Sequence, residues 1–459
     1  APHSGSPLHR QNEQIMSSRS QTSTSGVSEL PTSRGESGQR REFGTAVGRQ
    51  CVVKGALPGE VVCARVLGKR KGQILAITET VQNAVDDRTE PFCAVFPRCG
   101  GCSNQQWAYR EQLKFKERWV RRELSRHQLW CGSFMPTQHG STTHYRRRAR
   151  LGVRWIDKVG EVYVGFRETF GSYVVDMNRC PALVTGLAEL IGPLRALITR
   201  MSAPKKIPQV EVVAGDKARA LVLRHLEPLT VSDFNLLSAF SNAYDVWVYG
   251  QSGGYETVTR HFPAGDPNAK LTYELANDGV SIEFGPTDFI QVNSEINHLL
   301  ISAVLKELDL GPEDRVIDLF CGIGNFSLPA ARTAKSVLGL EISSTSVEQA
   351  RRNAERNDLS SATTFLASDL YRPINNELTK TDYKMLLDPP RSGAGPELGR
   401  FAHRAKRVVY VSCNPTTFAD DAAVLDRIGF QLERVQVFDM FPHTNHVEIV
   451  GSFGRAERS

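Results

Sequence analysis

Two residues near the carboxyl terminus have side chains suited to covalent chemistry on a ring: a cysteine and a carboxylate. Cys413 ends an apolar run, Val411-Ser412-Cys413-Asn414-Pro415, which predicts a thiol at the carboxyl end of a β-strand. Glu448 is charged within the otherwise apolar stretch Val447–Val450. Such a carboxylate is either a paired structural group or a base with a raised pKa. A single cysteine is more often a packing residue, so this pair needs support from its surroundings.

Methylation of C5 of uracil is a reaction that requires one cysteine and one general base. C5 is a poor nucleophile, but a thiolate that adds to C6 makes C5 an enolate carbon, which can attack a methyl sulfonium. A base must then remove the C5 proton so that the thiol can leave. Cys413 and Glu448 could supply both groups.

A glycine motif and three acids predict an adenosyl ligand. Gly322 and Gly324 follow an apolar strand, where they let the backbone approach a ligand. Ser327 replaces the third glycine of a dinucleotide fingerprint, which disfavours a pyrophosphate. Acids at the next strand ends could bind ribose (Glu341) and adenine (Asp369), favouring S-adenosylmethionine over NAD. The alternative is a tight turn with acids that cap helices.

These residues require a regular βα alternation from about residue 291 onward. Apolar runs predict strands at Arg315–Phe320, Ser336–Glu341, Thr363–Ala367, Tyr383–Asp388, Arg407–Cys413, Phe430–Asp439 and His446–Phe453. Helices fit the first five gaps, and a short connection joins the last two strands. We therefore expect an α/β fold, a Rossmann-like, seven-stranded, doubly wound sheet that ends in an antiparallel hairpin. Asp388 would then lie at the methyl end of the cofactor.

The rest of the chain predicts three further regions. Residues 1–40 are polar and predict a disordered tail. Short alternating strands predict a small, OB-like β-barrel at 41–90. A central α/β domain is expected at 91–290, before the catalytic domain at 291–459. It contains a basic helix within Tyr109–Leu129 and the run Arg146–Arg148, our candidates for RNA contact, with solvated faces as the alternative.

Chain length and composition limit the number of domains, the kinds of partner and the location of the protein. The 459 residues predict two to four domains, and a net charge of +6 permits a nucleic-acid partner without requiring one. The sequence has no apolar run of membrane-spanning length and no secretory signal, so we expect a cytoplasmic protein. The nine cysteines are therefore expected to be reduced.

Five ordered motifs resemble the RNA uridine-C5 methyltransferases, the TrmA/RumA group, over residues 42–453. They are Phe289-Ile290-Gln291-Val292-Asn293, Asp318–Phe326, Leu387-Asp388-Pro389-Pro390-Arg391, Ser412-Cys413-Asn414-Pro415 and Asp439–Glu448. The resemblance implies a class I S-adenosylmethionine-dependent methyltransferase fold. It also implies that Cys413 is the nucleophile and Glu448 the proton acceptor. The residues implied to bind S-adenosylmethionine are Gln291, Phe320, Asn325, Glu341, Asp369 and Asp388.

The cysteine spacing and the barrel narrow the resemblance to the RlmD (RumA-like) branch, which modifies 23S rRNA. Cys93-x5-Cys99-x2-Cys102, with Cys180 downstream, lacks the paired spacing of a zinc ribbon and is similar to the iron–sulfur site of that branch. The resemblance thus implies a [4Fe-4S] cluster with a structural role, and zinc is the alternative. Gly55–Glu60 resembles part of a TRAM domain, an RNA-binding module.

The resulting hypothesis is an enzyme, a 23S rRNA (uracil-C5)-methyltransferase. It would act on a flipped uridine at a uracil-1939-type site through a Cys–C6 adduct. The same chemistry on tRNA or another rRNA uridine is the alternative. We expect a monomer without an obligate protein partner and without membrane contact. A small-molecule methyltransferase and an RNA-binding protein with an inactive catalytic domain are competing classes. The barrel and basic elements argue against the first, and the presence of Cys413 and Glu448 argues against the second.

Overall fold

The computed structural model describes residues 51–70, 72–129, 131–263, 269–373 and 381–455, which form two compact units. The first unit holds the described residues up to Ala108 together with Glu168–Ser172. The second holds Tyr109–Arg167 and the described residues from Tyr173 onward. The predicted tail, residues 1–40, and the start of the predicted barrel, residues 41–50, lie outside the described residues. Within the described residues, no helix has the length and apolar character needed to cross a membrane.

The first unit is built on a three-stranded sheet with the order β1-β3-β2. Its strands are β1 (Cys51–Lys54), β2 (Val61–Arg70) and β3 (Gln73–Asn83). β1 pairs parallel to β3, and β2 pairs antiparallel to it. Gly55 and Gly59, in the predicted turn after β1, have φ values of 88° and 90°, which glycine adopts without strain. The closed barrel predicted for 41–90 stays a prediction.

The second unit begins with helix α1 (Tyr109–Arg126) and strand β4 (Ser133–Gln138). A six-stranded sheet follows, with the order β10-β9-β8-β7-β5-β6. Its strands are β5 (Arg148–Ile156), β6 (Glu161–Gly165), β7 (Gln209–Ala214), β8 (Arg219–Arg224), β9 (Trp247–Gln251) and β10 (Thr259–Phe262). The helices of this part are α2 (Thr185–Ala188), α3 (Ile191–Thr199) and α4 (Val231–Tyr244). An antiparallel hairpin, β11 (Leu271–Leu275) and β12 (Val280–Phe284), comes next.

An eight-stranded sheet with the order β15-β14-β13-β16-β17-β19-β18-β4 forms the rest of the second unit. Its remaining strands are β13 (Arg315–Leu319), β14 (Ser336–Glu341), β15 (Thr363–Ala367), β16 (Tyr383–Leu387), β17 (Ala405–Ser412), β18 (Phe430–Phe438) and β19 (Glu448–Arg455). The helices are α5 (Ser294–Leu308), α6 (Ser327–Ala331), α7 (Ser344–Arg356), α8 (Leu398–Ala402) and α9 (Pro415–Arg427). β13 to β17 pair in parallel, whereas β19 runs antiparallel between β17 and β18. The predicted doubly wound sheet with a terminal antiparallel hairpin is confirmed.

The sheet has one strand that the sequence did not predict. β4 pairs in parallel with the outer side of β18 and forms the edge of the sheet. It contains Pro136, which cannot donate a ladder hydrogen bond, so its sequence does not have the pattern of an internal strand.

Apolar side chains cover both faces of the parallel strands. Val316 and Val337 belong to one buried cluster with Ile301 of α5, whereas Ile317 and Leu340 belong to a second. Successive strand residues point to opposite faces, so both faces are occupied by core. The ends of the strands are therefore where polar side chains can gather.

Candidate active site

Strand register brings Cys413 and Glu448 to the same end of neighbouring strands. Ser412, the last residue of β17, pairs with Ile449 of β19, so Cys413 and Glu448 are each one residue further along. Asn414 then caps α9, because its side-chain oxygen accepts a hydrogen bond from the backbone N–H of Thr416 at 3.1 Å. The thiol thus lies in the tight connection between a strand and a helix, and it is half-buried.

Burial and neighbouring charge control the protonation of both groups. Burial raises the pKa of Cys413 to about 12, with Glu448 and Asp388 adding to the rise and Arg391 opposing it. Glu448 is buried, and its pKa lies well above the usual range, mainly because of burial and then Asp388. Arg391 and Lys116 act against that rise. Burial therefore favours the protonated form of both groups when no substrate is bound.

Asp388 connects this end of the sheet to the motif Phe289–Asn293, which contains the predicted cofactor residue Gln291. It follows β16, and burial raises its pKa to about 7. The side-chain amide of Gln291 donates to one of its carboxylate oxygens at 3.5 Å. Phe289, two residues before Gln291, is 76% exposed. An exposed ring beside a polar site is available for stacking.

Arg391 is a site residue whose individual role the sequence did not indicate, although it belongs to one of the five motifs. Its backbone carbonyl accepts a hydrogen bond from the side chain of Asn414 at 2.9 Å. Its guanidinium lies 2.6 Å from Nδ1 of His446, in the connection between β18 and β19. Since it also lowers the pKa of Cys413 and that of Glu448, it is the cation that favours their anionic forms.

The glycine motif forms an open loop after β13. Phe320, Gly322 and Gly324 have φ values of 64°, 55° and 96°, so the backbone turns sharply here. Glu341 holds the loop, because its carboxylate accepts hydrogen bonds from the backbone N–H of Gly322 at 3.3 Å and of Ser343 at 2.9 Å. A Cβ atom placed on Gly322 would meet no atom within 4 Å. The loop therefore borders free space.

Three carboxylates lie near this loop, and two of them raise the pKa of the third. Asp318 is buried, and burial raises its pKa to about 7, with Asp388 and Glu341 contributing to the rise. The hydroxyl of Ser327 donates to one oxygen of Asp318, whereas its Oδ1 has no hydrogen-bond partner among the described residues. A buried acceptor without a donor is costly unless a ligand supplies one. The arrangement favours a ligand that carries positive charge.

Two of the predicted cofactor residues make hydrogen bonds or ion pairs within the protein. The side-chain oxygen of Asn325 accepts from the hydroxyl of Tyr273 at 2.9 Å and from Asn297 at 3.0 Å. Asp369 accepts from the backbone N–H of Tyr371 at 3.1 Å and pairs with Arg372 at 3.2 Å. Their roles in cofactor binding stay predictions, as do those of Gln291, Phe320, Glu341 and Asp388.

The predicted cluster cysteines occupy both units. Cys93, Cys99 and Cys102 lie in the first unit, and Cys180 lies buried in the second. The backbone N–H of Gly101 donates to Sγ of Cys99 at 3.3 Å, and Lys54 donates to the carbonyl of Cys102 at 2.9 Å. No group of three or more His, Cys, Asp or Glu side chains in the described ranges could hold a metal ion. The structure therefore does not support the predicted metal site.

Two of the predicted RNA-contacting residues are not on the surface. Lys116 of α1 is fully buried, and its ammonium pairs with Asp439. Arg147 is 8% exposed and pairs with Asp216 at 3.3 Å. For these two residues the predicted contact with RNA is wrong, because each basic side chain points into the protein toward a carboxylate distant in sequence.

Comparisons with known proteins agree with this geometry. A family model described as tRNA (Uracil-5-)-methyltransferase matches residues 108–453. The 23S rRNA (uracil(1939)-C(5))-methyltransferase RlmD of Hahella chejuensis is 40% identical over 420 residues, 89% of this chain and 93% of that protein. The protein of the same description from Nitrosospira multiformis is 39% identical over 420 residues, 90% of this chain and 95% of that protein.

A solved structure is similar in fold. It is the tRNA (uracil-54, C5)-methyltransferase of Pyrococcus abyssi in complex with S-adenosyl-L-homocysteine. The TM-score is 0.67 at 24% identity, with 88% of this chain and 94% of that chain covered.

Proposed function

The chain belongs to the tRNA (uracil-5-)-methyltransferase family, and from this premise we propose that it methylates C5 of a uridine in 23S rRNA with S-adenosylmethionine. The observation that carries the proposal is the register of β17 and β19, which sets Cys413 beside Glu448. The substrate class is supported by the relatives, which are described as 23S rRNA (uracil(1939)-C(5))-methyltransferases. The same chemistry on tRNA or another rRNA uridine is the second candidate.

The nucleophile and the base act at two atoms of the uracil ring. The sulfur of Cys413 forms a bond to C6, and the electron pair of the C5–C6 bond moves toward C5 and the C4 carbonyl. After C5 has gained the methyl group, Glu448 removes its remaining proton. The electron pair of that C–H bond restores the double bond, and the C6–S bond breaks. Cys413 leaves as a thiolate that is protonated again.

Arg391 and Asp388 prepare the site for these steps. Because burial keeps the Cys413 thiol protonated, the thiolate must form when RNA is bound. Asp388, with a pKa of about 7, can hold that proton at neutral pH. The guanidinium of Arg391 stabilises the sulfur anion and the carboxylate of Glu448. The exposed ring of Phe289 can stack on a base that has left its helix.

The residues around the glycine loop suit S-adenosylmethionine. When bound, it supplies a methyl group on a positively charged sulfur. Asp318, Glu341 and Asp388 form an acidic surround for a cationic ligand, and Oδ1 of Asp318 is an acceptor that lacks a donor among the described residues. The open space at Gly322 leaves room for the ligand beside the loop.

The decisive measurement is mass spectrometry of nucleosides from 23S rRNA and tRNA, each incubated with the protein and methyl-labelled S-adenosylmethionine. We expect labelled 5-methyluridine in 23S rRNA, and none with Cys413→Ala. Label in tRNA alone would keep the chemistry and overturn the substrate. Absence of label from both RNAs would favour the two competing classes, a small-molecule methyltransferase or an RNA-binding protein with an inactive catalytic domain.

We also propose a [4Fe-4S] cluster at Cys93, Cys99, Cys102 and Cys180, on the spacing of these residues in the sequence. No catalytic step depends on it. Iron and sulfide content after anaerobic purification tests it, with Cys99→Ser as the variant expected to lose both. Zinc in place of iron, or neither metal, would overturn it.

We propose that the sheet of β1 to β3 is part of an RNA-binding barrel, that the central and catalytic domains meet near residue 290, and that the enzyme is a cytoplasmic monomer. Light scattering of the purified protein tests the oligomeric state.

A further inference from the structure

Strand β5 presents arginines at alternate positions on one face of the six-stranded sheet. Ala149, Leu151 and Val153 point into the core, and the residues between them point the other way. Arg150 and Arg154 are exposed on that second face, and Arg148 is half-buried there. Residues two apart on a strand are separated by about 6.6 Å. The result is a row of guanidinium groups with a gap at Gly152.

Exposed tyrosines accompany the two outer arginines. The guanidinium of Arg150 donates to the hydroxyl of Tyr255 at 2.6 Å, and Tyr255 is 54% exposed. The guanidinium of Arg154 lies 4.7 Å from the centre of the Tyr173 ring, and Tyr173 is 57% exposed. Large aromatic side chains left in solvent beside cations are typical of surfaces on which bases stack.

The row leads to the reacting end of the site. The guanidinium of Arg148 donates to the backbone carbonyl of Asp288, the residue before the exposed Phe289. Gln291, two residues further, donates to Asp388. A polynucleotide whose target base lies at Phe289 would therefore pass Arg148 as it leaves the site.

One buried acid limits the positive charge of the row. Glu211 of β7 is 3% exposed and pairs with Arg148 at 3.1 Å and with Arg150 at 2.9 Å. Glu211 fixes the direction of the guanidinium groups of Arg148 and Arg150 and partly neutralises their charge. Arg154 keeps its full positive charge, since no carboxylate among the described residues pairs with it.

We propose that the Arg–Tyr row, defined as Arg148, Arg150, Arg154, Tyr173 and Tyr255, binds the single-stranded RNA that flanks the target uridine. This inference rests on the proposed function. The guanidinium groups contact successive phosphates, and the tyrosine rings stack on bases. Phosphate contacts of this kind fix the position of the RNA and make affinity depend on salt.

Equilibrium binding tests the row with two RNAs, one limited to the nucleotides around the target uridine and one that includes the flanking single strand. For the wild type, the flank is expected to raise affinity. Arg154→Ala should reduce the gain in affinity that the flank provides by roughly tenfold. It should also lower the slope of log affinity against log salt by about 1. Tyr173→Ala should lose affinity without a change in slope. Lys158→Ala, which removes an exposed charge from the nearby β5–β6 turn, should match the wild type.

Glu211→Gln should have the opposite effect on the affinity for flanked RNA. It frees two arginines, so flanked RNA should bind more tightly and with a steeper salt dependence. Equal losses for Arg154→Ala and Lys158→Ala, or no change for both Arg154→Ala and Glu211→Gln, would overturn the row. Because the measurement is binding, failure of the proposed function is seen separately, as absence of methylation by the wild type.

Discussion

The ammonium of Lys116 and the carboxylate of Asp439 form an ion pair that is closed to solvent, with side-chain exposures of 0% and 1%. Tyr109 donates to the other oxygen of Asp439 at 2.6 Å, and Lys116 also donates to the carbonyl of Phe441 at 3.1 Å. Asp439 directly follows Phe438, which pairs with Glu448. Helix α1 is thereby attached to the connection that leads to the base, Glu448, at the start of β19.

Replacing Lys116 with methionine is expected to destabilise the second unit. The change leaves Asp439 charged and buried without its cation, which costs roughly 3–5 kcal/mol. Asp439→Asn added to Lys116→Met should recover part of this loss, because the two residues are coupled. Denaturant unfolding measures both. Lys114→Met on the exposed side of α1 is the control, expected within about 0.5 kcal/mol of the wild type. Equal effects at 114 and 116 would contradict the pairing.

Glu448→Gln should allow addition to C6 and methylation of C5 but block removal of the C5 proton. The amide keeps the shape of the side chain but cannot accept the C5 proton, so turnover should fall by about 10²–10⁴-fold. Cys413 can still add to C6, and a methylated protein–RNA adduct should accumulate on a denaturing gel. Cys413→Ala should show no adduct, including with 5-fluorouridine RNA. A Glu448→Gln variant that turns over normally would remove Glu448 from the mechanism.

The rate of adduct formation should rise with pH. Asp388, Glu448 and Cys413 all have raised pKa values, that of Asp388 being about 7 and that of Cys413 about 12, so alkaline pH favours their reactive anions. Asp388→Asn should remove the inflection near pH 7.

The same carboxylate should make the folded protein less stable as pH rises. An acid with a raised pKa in the folded state loses stability as pH rises through that pKa, so Asp388→Asn should raise Tm above pH 7. A profile unchanged by Asp388→Asn would exclude Asp388 as the proton holder.

Glu341→Ala should weaken cofactor binding more than it weakens the fold. The carboxylate orders the glycine loop through Gly322, and it lies half-buried at the carboxyl end of β14. Losing a charge-assisted hydrogen bond costs about 1.5–3 kcal/mol, or roughly 10–100-fold in affinity. Calorimetric titration with S-adenosylhomocysteine measures it, with Glu348→Ala of α7 as the matched acidic control. Equal affinities for the two variants would argue against Glu341 as a ligand residue.

The sequence predicted the parts of the site that depend on local pattern. Apolar runs predict the strand ends, so the prediction that Cys413, Asp388 and Glu341 lie at the carboxyl ends of strands is confirmed to within one residue. The adjacency of Cys413 and Glu448 also required β19 to lie between β17 and β18, a strand order that the local sequence pattern does not specify.

Features that depend on distant partners were not readable. Lys116 lies 323 residues from Asp439, so nothing near it distinguished a buried lysine from a solvated one. The sequence predicts the Arg146–Arg148 run as one RNA-contacting surface, whereas the alternation of side chains buries Arg147 and leaves Arg150 and Arg154 exposed. The edge strand β4 is a further feature of this kind. It contains Pro136, which is not typical of a strand, and its pairing with β18 depends on the fold of the whole sheet.

The position of β19 has a consequence for the order of assembly. It lies between β17 and β18, both of which precede it in the chain. During synthesis the cofactor loop and the thiol emerge first, and β17 and β18 cannot yet adopt their final arrangement. Insertion of β19 closes the sheet and delivers the proton acceptor in the same event. A nascent chain that lacks this strand therefore holds a nucleophile without the proton acceptor that completes a turnover.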